Sequence, residues 1–529
     1  MIQRWEPSDS LSKQEELLLH HVRRTRKLFS FLRLHRRELF DDEFQDELAG
    51  MYRGSGKPAL APGILAMATL LQGYLGVSDA EAVQLCVVDL RWQMVLGCLG
   101  AEKAPFSQGA LHDFRARLIR THMDRRLLER TVELARRSGA FDWKKLPKSL
   151  DVAIDSSPLE GCGRVEDTFN LLGHAARDLV ASAATLLKRT EKKVARQAGI
   201  PLLSATSIKA GLDIDWSDDA SKEDALNILV AQLESLQQWI AKTFTAQVEQ
   251  DKLEKPLQTL QLIREQNLEP SPSQSNKTQV RDGVAKDRVI SVADPDMRHG
   301  RKSKTQRING YKRHIATDLE SRLIVACAVT PANMPEEKAG RPLKDDIERQ
   351  ALSINSLHID RAYLTSTVVD DVLLDNGDVF CKPWVARNGK LFSKTDFAID
   401  LDAMTITCPA NSVREIERGM TVKFDADTCD SCHLRASCTK ASAGRGRTVR
   451  IAPDEDFQQL LRERLATSNG RAKLRRRVTV EHGLAHIGAR QGPRARYRGR
   501  RNNLFDLRRV AAIQNLETVH RWEREQKAA

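Results

Sequence analysis

The sequence predicts an α/β protein: a mixed sheet flanked by helices, preceded by an α-helical N-terminal region and interrupted by insertions. Three observations predict it. Residues 62–122 carry helical periodicity. Residues 294–329 switch to strand patterning around a short polar turn. Two further apolar strands, near 149–155 and 356–359, each run into an aspartate, and a helical stretch at 345–352 precedes the second.

In chain order, Leu65, Met67, Leu70, Leu71 and Leu75 recur at helix spacing, and Gly76-Val77-Ser78-Asp79 breaks the run. Ser78 predicts the cap of a second helix, with Glu81 as its capping-box partner. Helix, Gly-containing turn, helix fits a DNA-binding helix-turn-helix, and equally an ordinary bundle. The strand Ser149–Asp155 is predicted to stop at Ser156-Ser157-Pro158. Thr168–Ala198 and Lys222–Leu268 read as long helices, and Glu269–Gly283 as an exposed linker. Gly310–Thr317 and Arg322–Val329 flank Asp318-Leu319-Glu320-Ser321 as a hairpin. Residues 378–451 look β-rich or irregular and hold four cysteines. Asp456–His486 is helical, a basic stretch runs to Arg509, and Val510–Trp522 reads as a final helix.

Length and composition bound the function. At roughly 150 residues per domain, 529 residues predict two to four domains. A hydrophobic fraction of 41% and a charged fraction of 29% exclude wholesale disorder. The N-terminus has no signal pattern, the most apolar run (62–71) is about half the ~20 residues of a membrane span, and nine cysteines in a chain this long are no disulfide framework. These predict a reduced, cytoplasmic protein with no membrane partner. Lys and Arg number 84 against 71 Asp and Glu, a net charge of +13, which favours a polyanionic partner. The excess is local: residues 471–509 hold 13 basic residues and two acidic ones, Glu481 and Asp506, a net of +11.

Asp155, Asp360 and Glu481 come from two strand ends and a late helix. Three carboxylates from separate elements can hold two divalent cations, which activate an attacking oxygen and stabilise a leaving one on a phosphodiester. Mg²⁺ suits hard oxygen ligands, with Mn²⁺ as a substitute. Asp151 shares a strand face with Asp155 but lies roughly 13 Å from it, too far to share one metal pair.

Four stretches now carry a resemblance. They are Ile154-Asp155-Ser156-Ser157-Pro158-Leu159 with Asp167–Leu172 downstream; Asp294–Lys302 through Gly310-Tyr311-Lys312; Asp360-Arg361-Ala362-Tyr363; and Arg477-Val478-Thr479-Val480-Glu481 followed by Arg496-Tyr497-Arg498-Gly499 and Asn515-Leu516. In this order they resemble the DDE transposases of bacterial insertion sequences, in the group with an α-helical N-terminal region and a cysteine-containing insertion before the catalytic Glu. The resemblance implies a ribonuclease H-like core, with Asp155 on its first strand, Asp360 at its fourth and Glu481 on a later helix as catalytic metal ligands. It implies residues 1–145 as an α-helical DNA-binding region, 146–377 and 452–520 as catalytic core (with 168–290 a helical insertion and linker), and 378–451 as the cysteine-containing insertion. It also implies binding of terminal inverted repeats, metal-dependent cleavage and strand transfer, double-stranded DNA at the element ends and target as partner, a dimer in the DNA complex, and action at the bacterial nucleoid. Two departures stand out: Leu474 replaces the family's tyrosine, and Gly488 stands where Lys or Arg is expected, with Arg490 nearby.

Cys408, Cys429, Cys432 and Cys438 include a C-x-x-C pair, and four thiolates would fill a tetrahedral structural Zn²⁺ site, with His433 a substitute ligand; the alternative is four reduced thiols. Two basic groups flank the carboxylates. One is Arg298, Arg301, Lys302, Lys304, Arg307, Lys312 and Arg313. The other includes Arg477, Arg490, Arg496, Arg498, Arg500 and Arg501, interleaved with Tyr497, a pattern that can grip DNA by charge and stacking. Two other readings stay open: a catalytically silent, transposase-derived DNA-binding protein, and a metal-dependent nuclease that cuts without joining.

Overall fold

The computed structural model describes residues 2–22, 28–52, 60–138, 149–272, 277–303 and 305–528. Lys304, the 145/146 boundary and part of the expected linker lie outside them.

Strand β1 (Ser149–Glu160) is followed by a small hairpin, β2 (Leu268–Pro270) and β3 (Thr278–Val280), then by β4 (Arg298–Arg301), β5 (Arg307–Asp318), β6 (Ile324–Pro331), β7 (Ser353–His358) and β8 (Asp378–Phe380). In the main sheet β6 and β4 both pair antiparallel with β5, β5 antiparallel with β1, β1 parallel with β7, and β7 parallel with β8. Four strands paired antiparallel (β4, β5, β6 and β1) and two continuing in parallel from β1 (β7 and then β8) make a mixed sheet consistent with a ribonuclease H-like core. The expected hairpin is present, with Ser321 closing its turn onto Asp318.

β1 does not stop at Ser156. It runs on through Pro158, which faces Lys312 of β5. A proline is tolerated there because β7 ends at His358, opposite Ala153, and the other side of β1 is not paired again until Glu160 meets Pro493 and Ala495. Gly310 marks where β4, β5 and β1 converge: a Cβ on it would stand 2.2 Å from the Gly161 nitrogen.

The N-terminal helices share one hydrophobic core with this sheet. Pro62–Leu75 ends at left-handed Gly76, and Asp79–Val88 begins at Ser78, whose side chain accepts from Glu81 N–H. The last helix, Arg500–Ala528, begins about ten residues earlier than the periodicity indicates. It packs on β6, on Met123–Arg137 and on Pro62–Leu75. Its buried Asn515 accepts from Ile324 N–H (2.8 Å) and donates to Ile324 O (2.9 Å), so a side-chain amide pairs the edge of β6.

The long helical stretches are each divided. Thr168–Leu187 is separate from Glu191–Gln197, and Asp219–Thr243 from Gln247–Asn267. They enclose a second core of their own. A third, small core lies in the cysteine-bearing segment, among short strands β9 (Ala398–Asp400), β10 (Thr405–Thr407), β11 (Val413–Glu415), β12 (Thr421–Lys423) and β13 (Thr448–Arg450). The expected helix 456–486 is three: Glu455–Ala466, Ser468–Arg475 and Val478–Gln491. Among the described residues, no helix is long and apolar enough to cross a membrane.

Candidate active site

The register of two parallel strands sets the first two carboxylates side by side. Ala153 of β1 is opposite His358 of β7. Asp155 comes two residues further along β1, and Asp360 two residues past the end of β7. Asp155 is therefore mid-strand rather than at a strand end, at the point where its parallel neighbour has just stopped. Asp360 caps a 3₁₀ turn, its Oδ1 accepting from Ala362 N–H at 2.9 Å. Burial pushes the Asp155 carboxyl above the usual carboxylate range. The Ser156 N–H and the Arg477 charge oppose that, and the charge of nearby Asp360 adds to it.

Glu481 lies in the first turn of Val478–Gln491. It is tied to the strand by Arg477, which donates from Nη1 to Asp155 Oδ2 (2.8 Å) and from Nη2 to Glu481 Oε1 (2.6 Å). Asp360, Arg475, Arg477 and Glu481 line one cleft, with Lys382 contributed by the residues after β8. Lys382 had no motif to announce it. Beneath the cleft, buried His314 bonds the Tyr363 hydroxyl through Nδ1 (2.6 Å) and Thr330 Oγ1 through Nε2 (2.9 Å). Burial pushes this imidazole down to about 3, so the ring is neutral. Tyr363 was legible in the Asp360-x-x-Tyr363 stretch; its partner His314 was not.

Asp151 has a different role. It accepts from Ser356 Oγ (2.6 Å) and Arg476 Nη1 (2.9 Å), and Arg476 also pairs with Glu320. Burial opposes it, but these bonds hold the Asp151 carboxyl below its usual range.

The basic residues divide. Arg301, Lys302, Arg496, Arg498 and Arg500 are exposed. Several others are engaged internally. Arg501 pairs with buried Asp124 and donates to Ile119 O (2.7 Å). Arg490 pairs with Glu517 (2.8 Å) and lies over the Tyr74 ring. Lys312 donates to Met334 O (3.1 Å) and faces Glu336 (3.4 Å), Arg298 Nη1 donates to Met297 O (2.9 Å), and buried Arg313 donates to Ser157 Oγ (2.7 Å). Tyr497 is half-buried against Phe505 and Arg115. The loop bearing Arg496 and Arg498, and the start of the helix at Arg500, are pinned by two carboxylates: Asp294 accepts from Gly499 N–H (2.9 Å) and Asp296 from Arg500 N–H (2.8 Å).

The four cysteines line one cavity with Phe392, Phe424 and His433. Ser412 N–H donates to Cys408 Sγ (3.3 Å) and Leu434 N–H to Cys432 Sγ (3.4 Å). Burial pushes the Cys438 thiol up; Arg447 opposes this and the charges of Cys429, Cys408 and Cys432 add to it. Among the described residues, no group of three or more His, Cys, Asp or Glu side chains is arranged to hold a metal ion. At the carboxylates, the donor chemistry nevertheless fits a hard divalent cation: Asp155 and Glu481 already hold a cation, the Arg477 guanidinium.

Two family models match the chain. One, described as a transposase DDE domain, covers residues 404–520, including Glu481 and the cysteines. The other, described as a transposase domain (DUF772), covers residues 22–117, including both helices flanking Gly76. Both ends of the chain are thus similar to transposases of the DDE, insertion-sequence type, as the motifs implied. Asp155 and Asp360 lie between the two matches. No match was found among curated proteins or among solved structures.

Proposed function

We propose that this chain, matched by transposase domains towards both ends, binds the terminal inverted repeats of an insertion sequence, cuts the DNA there and joins the freed ends to a target. One observation carries the reading: β1 and β7 pair up to Ala153 and His358, two residues short of Asp155 and Asp360, which feel each other's charge, and Arg477 ties Glu481 to Asp155.

Asp155, Asp360 and Glu481 would hold Mg²⁺ or Mn²⁺. When bound, the ions supply charge stabilisation for the attacking and leaving oxygens of the phosphodiester. The chain's own residues supply the geometry. β1 carries Asp155, the 3₁₀ turn just after β7 carries Asp360, and the Glu481 helix brings the third carboxylate. Lys382 and Arg475 line the cleft, where they face a bound phosphate. Arg301, Lys302, Arg496, Arg498 and Arg500 present charge for the backbone on either side, positioning DNA without reading its sequence. Arg490, Arg501, Lys312, Arg298 and Tyr497 belong to the scaffold behind that surface.

In this reading residues 1–145 bind DNA, 146–377 and 452–520 form the catalytic core and 378–451 an insertion. Two ends are cut together, so the working form is a dimer on DNA at the nucleoid. The cysteine cavity takes structural Zn²⁺: its two backbone N–H···S bonds support thiolate charge, as in a zinc knuckle. Zinc content near one equivalent in chelator-free protein, lost in C429S/C432S, is expected; less than about half an equivalent contradicts it.

The functional test uses duplexes bearing the element's ends, with Mg²⁺, followed for both nicked and joined products. Nicking and joining are expected together. Nicking alone identifies a nuclease, and tight binding without nicking a silent DNA-binding protein.

A further inference from the structure

We infer that Arg477 is an internal counter-ion for the carboxylate site, a latch that an incoming divalent metal displaces. The inference rests on the proposed metal role of Asp155, Asp360 and Glu481.

The two ends of the Arg477 guanidinium occupy Asp155 Oδ2 and Glu481 Oε1 at 2.8 and 2.6 Å. These are oxygens the metal would need. A divalent ion held by Asp155 and Glu481 would take the oxygen lone pairs that the Arg477 N–H groups now occupy. A guanidinium and a dication on the same two oxygens would meet strong like-charge repulsion. Guanidinium and metal are alternatives.

The position of Arg477 is unusual on local grounds. It is the N-cap residue of Val478–Gln491, preceded by Arg475 and Arg476. The positive end of the helix dipole disfavours cations there. The carboxylates compensate, and they are the reason the guanidinium lies where it does.

The neighbouring arginine makes displacement possible without losing the helix. Arg476 clasps Asp151 at 2.9 Å and also pairs with Glu320. That second clasp joins the same helix end to β1 and to the β5–β6 turn, away from the metal-binding oxygens. When Arg477 leaves, Arg476 still holds the helix that carries Glu481. Glu481 itself is 48% exposed, free to swing toward Asp155 once its partner is gone.

The two arginines therefore have opposite predicted effects on metal affinity. Removing Arg477 removes a competitor. Removing Arg476 loosens the helix and removes none. The test is titration of the full-length protein with Mn²⁺, followed by the loss of the free-ion electron paramagnetic resonance signal, with no DNA present. R477A and R477Q are expected to bind Mn²⁺ about tenfold more tightly than wild type, the equivalent of about 1.4 kcal/mol. R476A should bind with equal or lower affinity, and D155N/D360N should lose the site. If both Arg477 variants bind no more tightly than wild type while D155N/D360N abolishes binding, the latch is wrong and the carboxylate site stands. If Mn²⁺ binding survives D155N/D360N, the carboxylates are not the ligands and both fall. R477Q keeps a neutral hydrogen-bonding group at the helix start, so a folding defect in R477A leaves the comparison intact.

Discussion

The net charge of +11 over residues 471–509 looks like one continuous DNA footprint, and the fold divides it. Arg496 and Arg498 on a loop, and Arg500 at the start of the last helix, are exposed and held in place by Asp294 and Asp296. Arg501, Arg508 and Arg509 turn inward to Asp124, Asp346 and Asp506. The triple substitution R496A/R498A/R500A should therefore act on DNA binding and not on stability. Each phosphate neutralised on duplex DNA contributes about −0.9 to the slope of log K against log salt, so three arginines account for up to about 2.7 of that slope. Over a fourfold rise in salt this corresponds to roughly 40-fold in affinity that wild type loses and the variant does not. Fluorescence anisotropy of a labelled end duplex across a salt series reads the slope directly. R501A is the control: it should lower the melting temperature through Asp124 and leave the slope nearly unchanged. An unaltered slope in the triple variant would refute the reasoning, as would an R501A protein with wild-type stability and a flattened slope.

Two further predictions concern the scaffold. Asp124 is 2% exposed and accepts from Arg501 and from Arg508 (3.2 Å), so D124A should destabilise the shared core by about 3–5 kcal/mol through the charge it strands; a change under about 1 kcal/mol contradicts this. His314 is neutral in the fold, titrating at about 3, whereas an unfolded histidine titrates near 6.5. As pH falls below about 6.5 the unfolded chain takes up the proton first, so stability declines on acidification, by about 2 kcal/mol between pH 7 and pH 5. H314Q should lose that share of the pH dependence, as read from urea midpoints at the two pH values.

Much of the site was legible because it depends on local order. Asp360 follows an apolar strand directly, Ser78 caps a helix as its spacing predicts, and the turn at Asp318 closes a hairpin. What failed to show was set by tertiary partners. Pro158 reads as a terminator, yet β1 continues because only one side of it is paired there. The basic run to Arg509 reads as one stretch able to grip DNA, yet helix begins at Arg500, where Asp296 fixes the backbone, and its periodicity carries Arg508 and Arg509 inward. Arg476 and Arg477 are neighbours in sequence with identical chemistry. Only the fold gives one to Asp151 and Glu320 and the other to Asp155 and Glu481. Motifs such as Asp294-Pro295-Asp296 and Asn515 carried the resemblance without a role. The fold supplies one: they anchor the basic loop and cover the edge of β6.

The central claim is that Asp155, Asp360 and Glu481 act together on a phosphodiester. Its most direct test is strand cleavage of end DNA with Mg²⁺ by wild type and by D155A, D360A and E481A, each first shown to bind that DNA. Each single substitution should reduce cleavage to background while binding persists. Cleavage at the wild-type rate by any of the three, in protein that binds DNA normally, would contradict the account.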